Sequence, residues 1–297
     1  MGLKVQNVTK SFGDNAAVDN INFEINKPGV FGLLGTNGAG KSTTIRMILG
    51  ILKKDSGNIN WNGKEVKREN VNFGYLPEER GIYPKIKIYD QLMYLAKLKG
   101  MKKEDAENSL NYWLKKLEVE EYKNLEAEKL SKGNQQKIQF ITSVIHNPEL
   151  LIIDEPFSGL DPINTELLKS AISELVEKGT YIIMSSHQMA SIEEFCTDVL
   201  ILNKGKTVLQ GNLQEIKNGY NANRVELVTN KDIKDEIHKS NLKILKQLDN
   251  LYDISIQNEE EAQELLKLLI ENGVKIEKFE LKKPNLNDIF IEKVGNK

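Results

Sequence analysis

Apolar and polar residues alternate over residues 3–9 and 21–25, with Gly13-Asp14 between them. That pattern predicts two half-buried strands joined through a turn. Residues 30–34 (VFGLL) form a short apolar run, as expected of a buried strand, and a glycine-rich loop and a helix beginning near Lys41 follow. Strand, glycine loop and helix in that order open a layered α/β fold. Over residues 87–99, Ile88, Leu92, Leu95 and Leu98 recur at helical spacing; over 106–117, Ala106, Leu110, Trp113, Leu114 and Leu117 do the same. Both stripes predict amphipathic helices packed on a core, and together they imply a helical insert at about residues 86–147.

Residues 150–153 (LLII) and 181–184 (YIIM) are apolar runs rich in branched side chains. Between them Ile163, Leu167, Leu168, Ala171, Ile172 and Leu175 carry helical spacing. A strand, helix, strand sequence predicts parallel pairing through a crossover. Residues 199–202 and 207–210 flank Lys204-Gly205 and predict a hairpin. The texture changes near Asn218-Gly219-Tyr220-Asn221, which reads as a linker, so the expected domains are 1–217 and 222–297. Beyond the linker the pattern predicts strand (224–229), helix (231–239), strand (243–248), strand (252–257), helix (259–272) and strand (274–280), with a last helix over 286–293. That order is the split βαβ, ferredoxin-like unit.

Composition narrows the function. Lys plus Arg (41) and Asp plus Glu (43) nearly cancel to a net charge of −2, so no net basic surface for nucleic acid is indicated. The single cysteine, Cys196, forms no intrachain disulfide and reads as a small buried hydrophobe, consistent with a reducing cytoplasm. No run reaches the roughly 18 apolar residues of a membrane span, and the N-terminal residues lack the apolar segment of a signal peptide. Membrane association is therefore expected through a partner protein.

Gly35-Thr36-Asn37-Gly38-Ala39-Gly40-Lys41-Ser42 matches G-x-x-x-x-G-K-[ST], and Thr43 follows it. Glycines let the backbone wrap a phosphate closely. Successive N–H groups and the positive end of the following helix then bind the anion. Lys41 supplies a formal charge to the terminal phosphates and the Ser42 hydroxyl is placed to ligate Mg²⁺. The motif follows a predicted strand and opens a predicted helix, which defines a P-loop nucleotide-binding protein.

Leu150-Leu151-Ile152-Ile153-Asp154-Glu155 is an apolar strand ending in two acids, at the tip that faces the ligand crevice of a parallel sheet. Asp154 is expected to hold Mg²⁺ and Glu155 to polarise the water that attacks the γ-phosphate. Parallel pairing of the two apolar strands places His187, in Ser185-Ser186-His187, beside Asp154, within reach of the same phosphate. His146 and His238 lack such context and read as structural.

Between these sites, Leu130-Ser131-Lys132-Gly133-Asn134-Gln135-Gln136 resembles the ABC signature, usually LSGGQ. With Ser158-Gly159-Leu160-Asp161 resembling the D-loop and His187 resembling the H-loop, residues 3–215 resemble an ABC ATPase. The resemblance implies an α/β P-loop NTPase of ABC type with a helical subdomain, followed by a small C-terminal α+β domain. It implies ATP and Mg²⁺ as ligands and a head-to-tail pair of such domains, here a homodimer. Each site would join the P-loop of one copy to Ser131, Gly133 and Asn134 of the other, while Phe12 stacks on adenine. Lys132 and Asn134 depart from the usual glycine and glutamine. Glu78, in Gly74-Tyr75-Leu76-Pro77-Glu78-Glu79-Arg80-Gly81, stands where the family has a glutamine, and is expected to contact the metal or its water. This loop couples to the transport subunit in relatives, which makes Ile82-Tyr83-Pro84 a candidate interface.

Residues 283–293 (KPNLNDIFIEK) resemble the C-terminal extension of bacterial sodium-efflux (NatA-type) and drug-export ATPases. The resemblance implies an exporter subunit at the inner face of the cell membrane, energising a separate permease. Two other readings stay open at this point. One is a non-transport ABC ATPase on ribosomes or nucleic acid, although such relatives carry two cassettes or long coiled coils. The other is a regulatory module whose tail binds a small ligand.

Overall fold

The computed structural model describes residues 2–67, 69–79, 81–187 and 189–295; Arg80, in the loop quoted above, lies outside the described residues. The chain divides into two compact units, a first through Gln210 and a second from Gly211. In chain order the first holds β1 (Leu3–Phe12), β2 (Asn15–Ile25), β3 (Gly29–Gly35), α1 (Lys41–Ile48), β4 (Ser56–Trp61), β5 (Lys64–Glu65) and β6 (Phe73–Leu76). It continues with α2 (Ile88–Leu98), α3 (Lys103–Lys116), α4 (Lys132–Val144), β7 (Leu150–Asp154), α5 (Pro162–Glu177), β8 (Tyr181–Ser186), α6 (Met189–Phe195), β9 (Asp198–Asn203) and β10 (Lys206–Asn212).

Two sheets make the body of this unit. An antiparallel layer in the order β2-β1-β4-β5 turns alternate residues inward, among them Val5, Phe23 and Trp61. These meet Phe31, Ile152 and Ile183 of a second sheet in the order β10-β9-β3-β8-β7-β6. Burying one face of each sheet in a shared core is what the alternation encodes. The first hairpin is longer than the pattern predicts, because Lys10, Ser11 and Phe12 keep pairing with Val18, Ala16 and Asn15 after apolar alternation has stopped. In the central sheet β3 runs parallel to β8 and β9, and β7 parallel to β8 and β6. The register sets Leu34 beside Ser186 and Asp154 beside Ser185, so the loops leaving β3, β7 and β8 emerge at one edge.

Helices α2, α3 and α4 form the helical insert. The α3 stripe is buried as predicted, and Trp113 packs edge-on against Phe140 of α4 at 6.0 Å. The α2 stripe differs. Its buried residues are Ile88, Gln91, Leu92 and Ala96, while Leu98 is 65% exposed. Spacing alone did not distinguish the 88–92–96 line from 88–92–95–98, and the core took the first. Ile163 likewise stands exposed at the first turn of α5.

The second unit begins at α7 (Leu213–Asn218), a few residues before the boundary expected at 217. It continues with β11 (Arg224–Thr229), α8 (Lys234–Lys239), β12 (Lys243–Leu248), β13 (Leu251–Ser255), α9 (Glu259–Glu271), β14 (Ile276–Lys282) and α10 (Leu286–Gly295). The sheet order is β12-β13-β11-β14 with every pair antiparallel, which is the ferredoxin-like topology predicted. Ile237 of α8 and Leu265 and Leu269 of α9 bury against Val225, Leu227 and Tyr252. Helix α8 starts later than predicted because the Asp232 side chain accepts a hydrogen bond from Lys234 N at 2.9 Å, forming a local turn first. Among the described residues no helix is long and apolar enough to cross a membrane.

Candidate functional site

The glycine loop leaves β3 and enters α1 through Gly40, whose φ of 106° belongs to glycine. A Cβ there would stand 2.5 Å from the Ala17 carbonyl oxygen. No side chain caps α1, so its first N–H groups are available to an anion. Lys41 is only 8% exposed, and its Nζ donates to the carbonyls of Gly35 at 2.7 Å and Thr36 at 3.3 Å. Burial pulls its pKa down, opposed by the negative charges of Glu155, Asp154 and Glu78. An ammonium held this way sits where a polyphosphate would restore its preferred charged state.

Asp154 ends β7 and is buried. Burial pushes its carboxyl pKa up, and the neighbouring Glu155 adds to that; the Ser185 hydroxyl, which donates to Oδ1, and the charges of Lys41 and Arg46 oppose it. Glu155 follows with a φ of 51°, left-handed for a non-glycine residue. Strain of this kind is held in place by its surroundings. Here they are Ser186 Oγ, donating to Oε2 at 3.0 Å, and His187, whose backbone N donates to Oε1 at 2.7 Å. The His187 Nδ1 lies 2.6 Å from the same oxygen, which fixes Nδ1 as the protonated nitrogen.

These groups line one cleft of about 510 Å³. Phe12, Asn37, Gly38, Ala39, Gly40, Lys41, Ser42, Thr43, Glu78, Asp154, Glu155 and His187 all face it. Gly35 and Thr36 lie behind the lysine they bind. The oxygen donors Ser42, Asp154 and Glu78 are the hard ligands magnesium prefers. Among the described residues no three His, Cys, Asp or Glu side chains cluster as a metal site, so an ion here would complete its shell with phosphate and water oxygens.

Ser131, Gly133 and Asn134 do not line this cleft. Helix α4 begins at Lys132, with Ser131 as its N-cap accepting from Asn134 N at 3.3 Å. Gly133 has no special φ, and a Cβ on it would meet only ordinary contacts at 3.6 Å from Asn164 and Leu160. Glycine in a helix costs about 1 kcal/mol relative to alanine, and nothing within the chain requires it here. Gln136 ties α4 to the segment after Glu155 through the Pro156 carbonyl at 3.3 Å.

The sequence shows Ser185 and Ser186 only as neighbours of His187, without the bonds that hold the two acids. The signal was available in the parallel register, which makes Ser185 the lateral neighbour of Asp154. Nor does the sequence mark Gln91 and Gln139, which hold the Glu78 loop. Gln139 donates to the Pro77 and Glu79 carbonyls at 3.2 and 2.9 Å, and Gln91 accepts from Tyr83 N at 3.2 Å. Both glutamines sit on helices; the partners of Gln139 lie 62 and 60 residues away, and the Tyr83 partner of Gln91 lies eight residues back in an irregular loop.

A P-loop, an acidic strand end and a capped signature helix on this topology define an ABC-type ATPase. A family profile described as ABC transporter matches residues 18–158, and one described as ATP-binding protein DrrA1-3-like, C-terminal domain, matches residues 211–294. The chain is 50% identical over 295 residues to the ABC transporter ATP-binding protein YhaQ of Bacillus subtilis (strain 168), spanning 99% of this chain and 98% of that protein. It is 29% identical over 313 residues to the linearmycin resistance ATP-binding protein LnrL of the same organism, spanning 99% and 98%. A solved ATP binding subunit of an ABC transporter superposes with a TM-score of 0.69 at 29% identity, covering 74% of this chain and 93% of that one. The chain belongs to the ABC transporter ATP-binding proteins, a family of ATPases whose members serve membrane permeases.

Proposed function

We propose that the chain is the ATP-hydrolysing subunit of an exporter, acting as a pair of identical copies beneath a separate permease at the cytoplasmic face of the membrane. The observation that carries the paired arrangement is the separation of Ser131, Gly133 and Asn134 from the chain's own cleft, together with the uncrowded Gly133. A phosphate approaching from a second copy would account for that glycine, and the N-terminus of α4 would receive it. The C-terminal match to DrrA1-3-like proteins and the likeness to LnrL, whose name ties that protein to linearmycin resistance, support export. Sodium or a drug-like compound is the cargo this reading favours. The near-neutral charge favours a protein partner over nucleic acid.

In this reading the loop amides of residues 35–43 and Lys41 bind the ATP phosphates, and Phe12, 53% exposed, stacks on the adenine. Ser42, Asp154 and Glu78 hold magnesium, which when bound neutralises charge on the phosphates. Glu155 takes the proton of the water that attacks the γ-phosphorus, and the leaving oxygen stays on ADP. His187 keeps the Glu155 carboxylate oriented toward the γ-phosphate side of the cleft.

The test is ATP hydrolysis by the purified chain over a range of protein concentrations, with Glu155→Gln as control. Activity rising faster than linearly and lost in the variant is expected. Linear activity that survives the substitution would remove both the shared sites and the role of Glu155.

A further inference from the structure

Phe12 lines the P-loop cleft with 53% of its surface exposed, and the ammonium of Lys10 stands over its ring, 5.5 Å from the centroid. Lys10 does not line that cleft, so the ammonium and the cleft lie on opposite faces of the ring. For a surface cation this lysine is unusually enclosed, with its side chain only 15% exposed. Ordering a long cationic side chain costs rotamer entropy, so a specific contact must hold it.

That contact is Asp55, in the segment between α1 and β4. Its Oδ1 accepts from Lys10 Nζ at 2.6 Å, and its Oδ2 accepts from the Ser11 backbone N at 2.7 Å. The Asp55 backbone N donates in turn to Thr9 O at 2.9 Å. One carboxylate thus fixes both the head of Lys10 and the backbone between Lys10 and Phe12. The Lys10 bond and the Ser11 N–H hold its pKa below the usual carboxylate range, so it stays charged at neutral pH. Across the other edge of β1, the pairing with β2 slips between Lys10–Val18 and Ser11–Ala16, which leaves Ala17 as an extra residue. Such a bulge re-aims the chain locally, and Ala17 lines the same cleft as Phe12. The ring is set by a clamp and a bulge rather than by a packed core.

We propose that Lys10 is a positioning residue for nucleotide binding: clamped by Asp55, it holds the back of the Phe12 ring so that the open face meets the purine already oriented and partly depleted of π density. This rests on the reading of Phe12 as the adenine platform. A cation over one face of an aromatic ring attracts its π electrons. The opposite face then becomes a better partner for an electron-rich purine stacked offset upon it. An exposed ring otherwise loses rotamer freedom when a base stacks, whereas a ring held beforehand has little left to lose. Neither effect reaches the phosphates, which fall to Lys41 and the loop amides. The contribution of Lys10 is therefore confined to the base.

The experiment titrates magnesium ADP and magnesium tripolyphosphate, which has no base, into the full-length chain by isothermal calorimetry. Wild type, Lys10→Met, Phe12→Ala and the double variant are compared. Methionine keeps the apolar bulk of the lysine stem, removes the charge, and leaves the bond from Ser11 N to Asp55 in place. Lys10→Met should weaken ADP binding by about three- to fivefold and leave tripolyphosphate binding unchanged. Once Phe12 is alanine, the same substitution should have almost no effect on ADP, because the two residues act as one unit. Lys10→Arg should restore ADP affinity, since a guanidinium can serve both Asp55 and the ring. An equal loss of ADP binding with and without Phe12, or a parallel loss for tripolyphosphate, overturns the proposal, because Lys10 would then serve the fold and not the base. So does a Lys10→Met chain that binds ADP as wild type does while Phe12→Ala weakens it; adenine stacking then stands without Lys10. If Phe12→Ala itself binds ADP as wild type does, the stacking reading fails and the proposal with it.

Discussion

Glu155 Oε1 lies 2.7 Å from the backbone nitrogen of His187 and 2.6 Å from its Nδ1, so a single residue grips one carboxylate oxygen twice. The backbone bond fixes position and the ring bond fixes orientation. Glu155→Gln keeps an oxygen to accept both bonds but has no basic oxygen pair to take a proton from water. Turnover is expected to fall by about 10²–10³-fold while ATP still binds. Steady-state hydrolysis and a fluorescent-nucleotide titration check this; turnover within tenfold of wild type would reject Glu155 as the base. His187→Ala keeps the carboxylate but frees its orientation, so kcat should drop with KM nearly unchanged.

The glycine loop offers an internal contrast. Gly40 combines a φ of 106° with a would-be Cβ contact of 2.5 Å to Ala17 O, whereas Gly38 has a φ of 77° and open space. Gly38→Ala should cost only the left-handed penalty of about 1–2 kcal/mol, whereas Gly40→Ala must also push the loop off β2. Urea unfolding should rank Gly40→Ala clearly below Gly38→Ala. Equal midpoints would mean the loop yields at position 40 as freely as at 38.

Much of this architecture could be read from the chain because its signals are local. The apolar run of 150–153 ending in Asp154-Glu155 and the G-x-x-x-x-G-K-S segment each carry their own context, and the six elements after residue 223 fell in the order that fixes a ferredoxin-like sheet. What could not be read depends on partners far along the chain. Leu98 sits at the same helical spacing as a core residue, and only the fold shows that the core lies over Ala96 instead. Gln139 has no local mark of its contact with Pro77 and Glu79, sixty residues away and more.

Glu174 of α5 joins three groups on one carboxylate: the Tyr112 hydroxyl of α3, Lys116 at 3.0 Å and Lys178 at 2.6 Å. Burial pushes its pKa up, but the Lys178, Tyr112 and Lys116 bonds outweigh it and hold the carboxyl near 2. The contact pins the helical insert to the core. Its contribution is present above the usual pKa of 4.5 and is lost as pH falls toward 2. Glu174→Gln should destabilise by about 1–3 kcal/mol at pH 7, and the gap from wild type should narrow below pH 4. A gap independent of pH would show that shape rather than charge holds the contact.

His146 provides the opposite sign of test. Its imidazole pKa is held down to about 4, chiefly by burial, with the Phe73 carbonyl bond working against that and Lys99 adding to it. In the unfolded chain the ring takes up a proton near pH 6.5. Between pH 6.5 and 4 the unfolded state therefore binds more protons than the folded one, and stability must fall as pH falls through that window. The span of the shift corresponds to about 3 kcal/mol lost by pH 4. His146→Phe removes the titrating group while filling similar space, and Lys99 still satisfies Phe73 O at 2.8 Å. Chemical unfolding of both proteins at several pH values separates this group from every other acid and base in the chain. The difference between them should shrink or reverse in favour of the variant as pH drops from 7 to 4.5. A constant difference would mean that the folded ring takes up its proton as easily as the unfolded one. Its Nδ1 would then already be within reach of water, contrary to a buried acceptor.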